Sequence, residues 1–171
     1  MKFIVSESVL WVLAIIPVLT AFGSEGFTIS SPAFKDKGMI PRQYTCDGKD
    51  VSPPLSIEGV PANAKSLAII VDDPDAPMGT WVHWVVFNID PTVRELKEGA
   101  VPEGAKQGMN DFKKSSYGGP CPPSGAHRYF FKLYALNAVL KLTAPATKAQ
   151  LEQAMKPHIV GEAQIVGLYK R

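Results

Sequence analysis

Proline and glycine cut this chain into short segments. Among its 171 residues are 15 Pro and 14 Gly, and beyond the N-terminal segment they separate runs of β-branched and aromatic residues, the punctuation of strands and loops. Three runs read as strands, Leu67–Asp72 (LAIIVD), Val82–Ile89 (VHWVVFNI) and Tyr129–Leu136 (YFFKLYAL), and Ala163–Tyr169 reads as a fourth. The first two are apolar on both faces, so both faces should be covered. One helix is predicted from Thr147, where Thr147 and Gln150 can form a capping box, Leu151, Ala154 and Met155 make an apolar stripe, and Pro157 ends or bends it. Strands with a late helix, without regular β-α alternation, predict a mainly β domain: a two-sheet antiparallel β-sandwich with a peripheral helix in the C-terminal region. Val51–Pro61 (VSPPLSIEGVP) and Glu98–Pro123 are predicted as long loops, too rich in Gly and Pro for regular elements.

Residues Val9–Ala21 (VLWVLAIIPVLTA) form an apolar run after Lys2, with Ala21 and Gly23 spaced for signal-peptide cleavage after Gly23. The run is short for a hydrocarbon layer of roughly 30 Å and contains Pro17, so a removed leader is expected over a permanent anchor. The predicted organisation is a signal peptide at 1–23 and one domain at 24–171, exported to the periplasm or secreted, with a membrane-tethered form as the alternative. Cys46 and Cys121 are the only cysteines. An even pair in an exported chain predicts a disulfide; two unrelated buried thiols are the plain alternative, and a metal pair is disfavoured because neither belongs to a CxxC. The 18 Lys and Arg against 16 Asp and Glu leave a charge of +2, too small a field to argue for a nucleic-acid partner. Any anion binding must be local.

Asp73-Pro74-Asp75-Ala76-Pro77 follows the first strand, His83 opens the second, and His127 ends the stretch Gly118–Ala126 just before the third. All are strand-end residues placed to converge. Strand alternation puts His83 on the face of Val85, Phe87 and Ile89. An aspartate, two histidines and a Gly-rich loop suit an anion pocket, because imidazole and glycine-exposed backbone N–H groups can donate to phosphoryl oxygens while the carboxylate orients an imidazole and favours its cationic form. Each feature also has an ordinary reading as a turn former or a hydrogen-bonded core histidine. A 2-His-1-carboxylate metal site is a rival, without a motif such as HExxH to support it. There is no GxSxG elbow, and His158 reads as a solvated or capping residue.

DPDAP (Asp73–Pro77), WVHW (Trp81–Trp84) and GGPCPPSGAHRY (Gly118–Tyr129) resemble the two signature regions of the phosphatidylethanolamine-binding protein family, also called the Raf kinase inhibitor protein family. YTCDGKDVSPPL (Tyr44–Leu55) and GEAQIVGLYKR (Gly161–Arg171) resemble its short bacterial and archaeal branch, so the likeness covers essentially all that follows the leader. The resemblance implies a β-sandwich with a small anion pocket at one end, lined by Asp73 and His83 from the first region and by Gly119, Pro122, Pro123, His127 and Tyr129 from the second. GPCPP carries one residue more than the GPP of animal members. Animal members also close the pocket with a C-terminal helix, whereas this chain ends in a predicted strand, which implies a more open pocket. Members are named for lipid-headgroup binding and for inhibiting kinases or serine proteases, and bacterial members are often dimeric.

Three functions are therefore expected in order. The first is non-catalytic binding of a small anionic or phosphorylated ligand, with no cofactor. The second is a protein-interaction module of the protease- or kinase-inhibitor kind, and the third a metal-dependent enzyme using the two histidines and the aspartate.

Overall fold

A computed structural model describes residues 26–171; the leader predicted at 1–23 lies outside them. The elements in chain order are β1 (Thr28–Ser30), β2 (Gly38–Met39), β3 (Leu55–Glu58), β4 (Ser66–Asp73), β5 (Trp81–Ile89), β6 (Glu95–Leu96), β7 (Lys106–Gln107), β8 (Ala126–Leu136), α1 (Lys148–Met155) and β9 (Ile159–Lys170). They form a three-stranded sheet, β1-β3-β6, and a six-stranded sheet, β2-β9-β8-β4-β5-β7. Every named pairing is antiparallel except β2 with β9, which is parallel over two residues. The predicted β-sandwich is the observed one.

The large sheet is covered on both faces. Leu67, Ile69 and Val71 of β4 pack with Tyr129, Phe131 and Leu133 of β8 against Ile29, Leu55, Ile57 and Leu96 of the small sheet. Ala68 and Ile70 face the other way, with Val85, Phe87, Leu151 and Met155, beneath α1. Both β4 and β5 thus bury the two apolar faces read from their sequences. The helix starts as expected: the Gln150 backbone N–H donates to Thr147 Oγ1, and the Thr147 backbone N–H donates to Gln150 Oε1. Leu151 and Met155 are its buried residues. After Met155 the chain tightens into a 3-10 turn through Pro157.

Three expectations need correction. Val51–Pro61 is not wholly loop, because Leu55–Glu58 pairs with both β1 and β6 and buries Leu55 and Ile57. Its alternation covers four residues between Pro53-Pro54 and Gly59, too few to outweigh the flanking breakers. In the second loop, Lys106–Gln107 pairs briefly with β5. β8 also begins three residues before Tyr129, at Ala126, which places His127 inside the strand.

Cys46 and Cys121 are joined as expected, across a sequence separation of 75. The Cys46 N–H also donates to the Pro120 carbonyl, at 3.1 Å, so the bridge ties the loop before β8 to the loop after Tyr44. A covalent loop of this length removes denatured-state entropy worth about 4 kcal/mol. A Cys46→Ala/Cys121→Ala chain should lose stability of that order in urea titrations; an unchanged midpoint would contradict this role.

Candidate functional site

β4 runs out of apolar residues at its C-terminal end, where Asp72 and Asp73 follow Val71 on opposite faces of the sheet. Asp73 lies on the inner face and pairs across the ladder with Trp81 of β5. Its Oδ1 accepts the Asp75 N–H at 2.8 Å, an Asx turn that shapes the DPDAP segment. Its Oδ2 accepts a hydrogen bond from His127 Nδ1, also at 2.8 Å. Both side chains are nearly buried. The carboxylate therefore fixes the tilt of the His127 ring and leaves Nε2 as the nitrogen for a ligand. Arg128, the next residue, binds Asp75 through its backbone N–H, Nε and Nη2, clamping the turn onto β8. Those bonds hold the Asp75 carboxyl down to about 2.

His83 enters by a different device. Val71 pairs with Trp84 but Asp72 pairs with Val82, so β5 holds one residue more than β4, and that residue is His83. A second bulge at Asn88, whose φ is 56°, puts another extra residue into β5 and brings the alternation back into phase. Strict alternation would have put His83 with Val85 and Phe87. The bulge instead turns it to the inner face, where its ring meets Tyr129 edge-on at 5.2 Å. Ile89 likewise joins the inner core, apart from Val85 and Phe87.

The loop after β7 takes up the groups that the bulge leaves unpaired. The Gly118 N–H and Asn110 Nδ2 both donate to the His83 carbonyl, and His83 Nδ1 donates to the Gly118 carbonyl at 2.7 Å. Nε2 is again the nitrogen left over. Burial pushes the His83 pKa below its ordinary 6.5, while the Gly118 carbonyl and the Asp73 charge pull it upward by less. The cationic form expected from a neighbouring carboxylate is thus not what His83 adopts at neutral pH. The aspartate acts in the expected direction, but desolvation outweighs it.

Asp73, His83 and His127 border a cavity of about 220 Å³, with Pro122 and Pro123 on its wall. Tyr129, expected in the lining, does not border the cavity: it stands behind His83, fully buried, its hydroxyl without a hydrogen-bond partner among the described residues. Burial, then the Asp73 charge, raises its pKa, so it remains a neutral donor. Gly119 does not border the cavity. Its N–H donates to Asp50 Oδ1 at 2.6 Å, and a Cβ there would lie 2.5 Å from the Tyr44 carbonyl oxygen. Glycine is needed for that close approach, and neither Gly118 nor Gly119 has its N–H free for an anion.

Sequence reasoning left out Trp81, Ala76, Pro77, Phe112 and Cys121, all of which border the cavity. Trp81 Nε1 is buried without a partner among the described residues, which makes it a second neutral donor. Its place two residues before His83 in WVHW was the available signal; Phe112, on the long loop, had none. His158 lies away from the site and faces Asn137 Oδ1 at 3.1 Å. Among the described residues no group of three or more His, Cys, Asp or Glu is arranged to hold a metal ion.

The phosphatidylethanolamine-binding protein profile matches residues 30–170. The chain belongs to that family. A protein of Methanothermobacter thermautotrophicus named UPF0098 protein is 54% identical over 148 residues, covering 84% of this chain and 98% of its own. Another of that name from Aquifex aeolicus is 49% identical, covering 90% and 94%. Among solved structures, a phosphatidylethanolamine-binding protein homologue from Chlamydia trachomatis superposes with TM-score 0.82 at 44% identity, covering 85% of this chain and 97% of its own. One from E. coli, described as a new member of the mammalian family, gives 0.80 at 34% identity with coverage of 85% and 98%. The segments Asp73–Pro77, Trp81–Trp84 and Gly118–Tyr129, on which the resemblance rests, supply every residue bordering the cavity except Phe112.

The depressed His83 pKa has a consequence for stability. Above about pH 6.5 the imidazole is neutral in both states; as pH falls below that value the unfolded chain binds a proton that the folded chain resists, so stability drops until the folded pKa is passed. Urea unfolding between pH 7.5 and 5.5 should show a steeper loss in the parent than in His83→Gln, by up to about 1.4 kcal/mol per pH unit. Parallel slopes would show that His83 titrates normally.

Proposed function

We propose that this protein binds small anions, phosphoryl groups foremost, without transforming them. The observation that carries the reading is the Asp73–His127 pair at 2.8 Å on the wall of the cavity that His83 also borders. Each imidazole has Nδ1 committed to a protein acceptor, so each can offer Nε2 to a ligand. Trp81 Nε1, without a partner among the described residues, adds a neutral donor. A phosphoryl oxygen accepts hydrogen bonds, so a proton must lie between it and Nε2 of a neutral ring. Binding therefore takes up protons, or selects a ligand that brings its own. The non-catalytic reading is supported by Asp73, whose two oxygens serve the Asp75 N–H and His127, and by Cys121, whose sulfur is in the bridge. We also propose an exported protein, on the composition of residues 1–23 and the Cys46–Cys121 disulfide.

The second reading, an interaction or inhibitor module, is favoured by Met78, 95% exposed beside the cavity-bordering Pro77. Family membership and the name of the Chlamydia trachomatis homologue support a phosphoethanolamine-like ligand before a protein one.

Titrating phosphate or phosphoethanolamine into the protein should move the imidazole NMR signals of both His83 and His127 saturably. Affinity should rise as pH is lowered from 8 to 6, and Asp73→Ala should weaken it by roughly tenfold, the scale of one charge-assisted hydrogen bond. Signals that stay still up to millimolar anion would refute the reading, and a response to zinc or iron alone would put the metal-dependent reading in its place.

A further inference from the structure

The cavity is less polar than a bare tetrahedral anion requires. Asp73, His83 and His127 supply its ionisable groups, and much of the remaining wall is Trp81, Phe112 and proline. Phe112 differs from the others in origin. It stands outside the two signature regions, on the loop whose Asn110 and Gly118 grip the His83 backbone. Its ring meets Trp81 at 5.4 Å and His83 at 5.3 Å, both edge-on. Gly118 leaves room for it, since a Cβ at that position would lie 2.6 Å from Phe112 Cδ2. Phe112 is nonetheless 36% exposed, so it forms the lip of the cavity and not part of the core.

An aromatic ring held by neighbours on one side and open on the other gains by covering its remaining apolar surface. Inorganic phosphate offers nothing to cover it. From this geometry we infer that Phe112 is a specificity-determining residue, selecting phosphate monoesters with a flat apolar substituent over the bare anion. This rests on the phosphoryl-binding reading: the phosphoryl group takes the histidine end, and the substituent lies against Phe112 and Trp81 at the mouth.

Calorimetry on the full chain with inorganic phosphate, methyl phosphate and phenyl phosphate, at one pH and ionic strength, tests it. Phenyl phosphate should bind at least about tenfold more tightly than inorganic phosphate, with methyl phosphate near the latter, the scale expected for burying part of one ring. The readout is the ratio of affinities in each protein. Phe112→Ala should bring the phenyl-to-phosphate ratio close to one, and Phe112→Leu, which keeps bulk without the ring, should leave it intermediate. Undiminished preference in both variants, or none in the parent, overturns the inference while leaving phosphate binding intact. Loss of all binding in both variants also overturns it, since Phe112 would then be holding the shape of the pocket. If none of the three compounds binds the parent, the phosphoryl reading fails first and this inference falls with it.

Discussion

Because β4 is buried at each of its eight positions, each of its faces needs its own cover, and the positions of the other elements follow. The inner face takes the small sheet, and the outer face takes α1 with the segment that leads into it. Where the apolar run ends, the two aspartates inherit the same division. Asp73 turns inward to His127, while Asp72, 1% exposed, turns outward and accepts bonds from Lys132 and Lys148. Lys148 is the first residue of α1, so one buried carboxylate fastens the helix to the sheet while its neighbour orients the site. Removing both lysines would leave the buried Asp72 charge uncompensated, at a cost below the roughly 3–5 kcal/mol of a fully buried pair because Lys132 and Lys148 are partly exposed. The end of β4 thus sets both helix and pocket.

The inserted residue in β5 makes the pocket possible. Without it His83 would fall on the helix side of the sheet, away from His127. The cost of a bulge is a set of backbone groups with no partner strand, and here the loop after β7 satisfies them. Val82 shows the same support: its N–H donates to Asp111 Oδ2 and its carbonyl accepts the Asp111 N–H. The long loop thereby acts as an irregular edge strand for the first part of β5. This also explains why Gly118 and Gly119 are structural: their N–H groups close this scaffold against His83 and Asp50.

What could be read from the sequence follows from how far each signal extends. β4, β5 and β8 are long β-branched and aromatic runs, and the capping box of α1 is a local chemical pattern, so all four were legible. β1, β3 and β6 have three, four and two residues, less than a full pattern, and the small sheet was legible only as the missing half of a sandwich. In the site, Asp73 and His127 follow from strand ends and family resemblance. The face of His83 does not, because a bulge is a mismatch between two strands and leaves no mark in either one alone. Gly119 was misplaced for a related reason: a glycine can serve a close approach on either side of its backbone, and Asp50, 69 residues away, decides which.

The lining residues of the cavity include no lysine or arginine, and Arg128, the nearest in sequence to His127, is committed to Asp75. Phosphate sites commonly rely on such fixed charge. On the anion-binding reading proposed above the histidines must supply any positive charge, and burial disfavours the cationic form of His83. Attraction at long range is correspondingly weak, in keeping with a net charge of +2. Recognition then depends on short-range hydrogen bonds and on what the aromatic and proline walls can cover, forces that salt screens little. If the pocket binds anions as proposed, it would discriminate among them by protonation state and by substituent, and much less by charge alone.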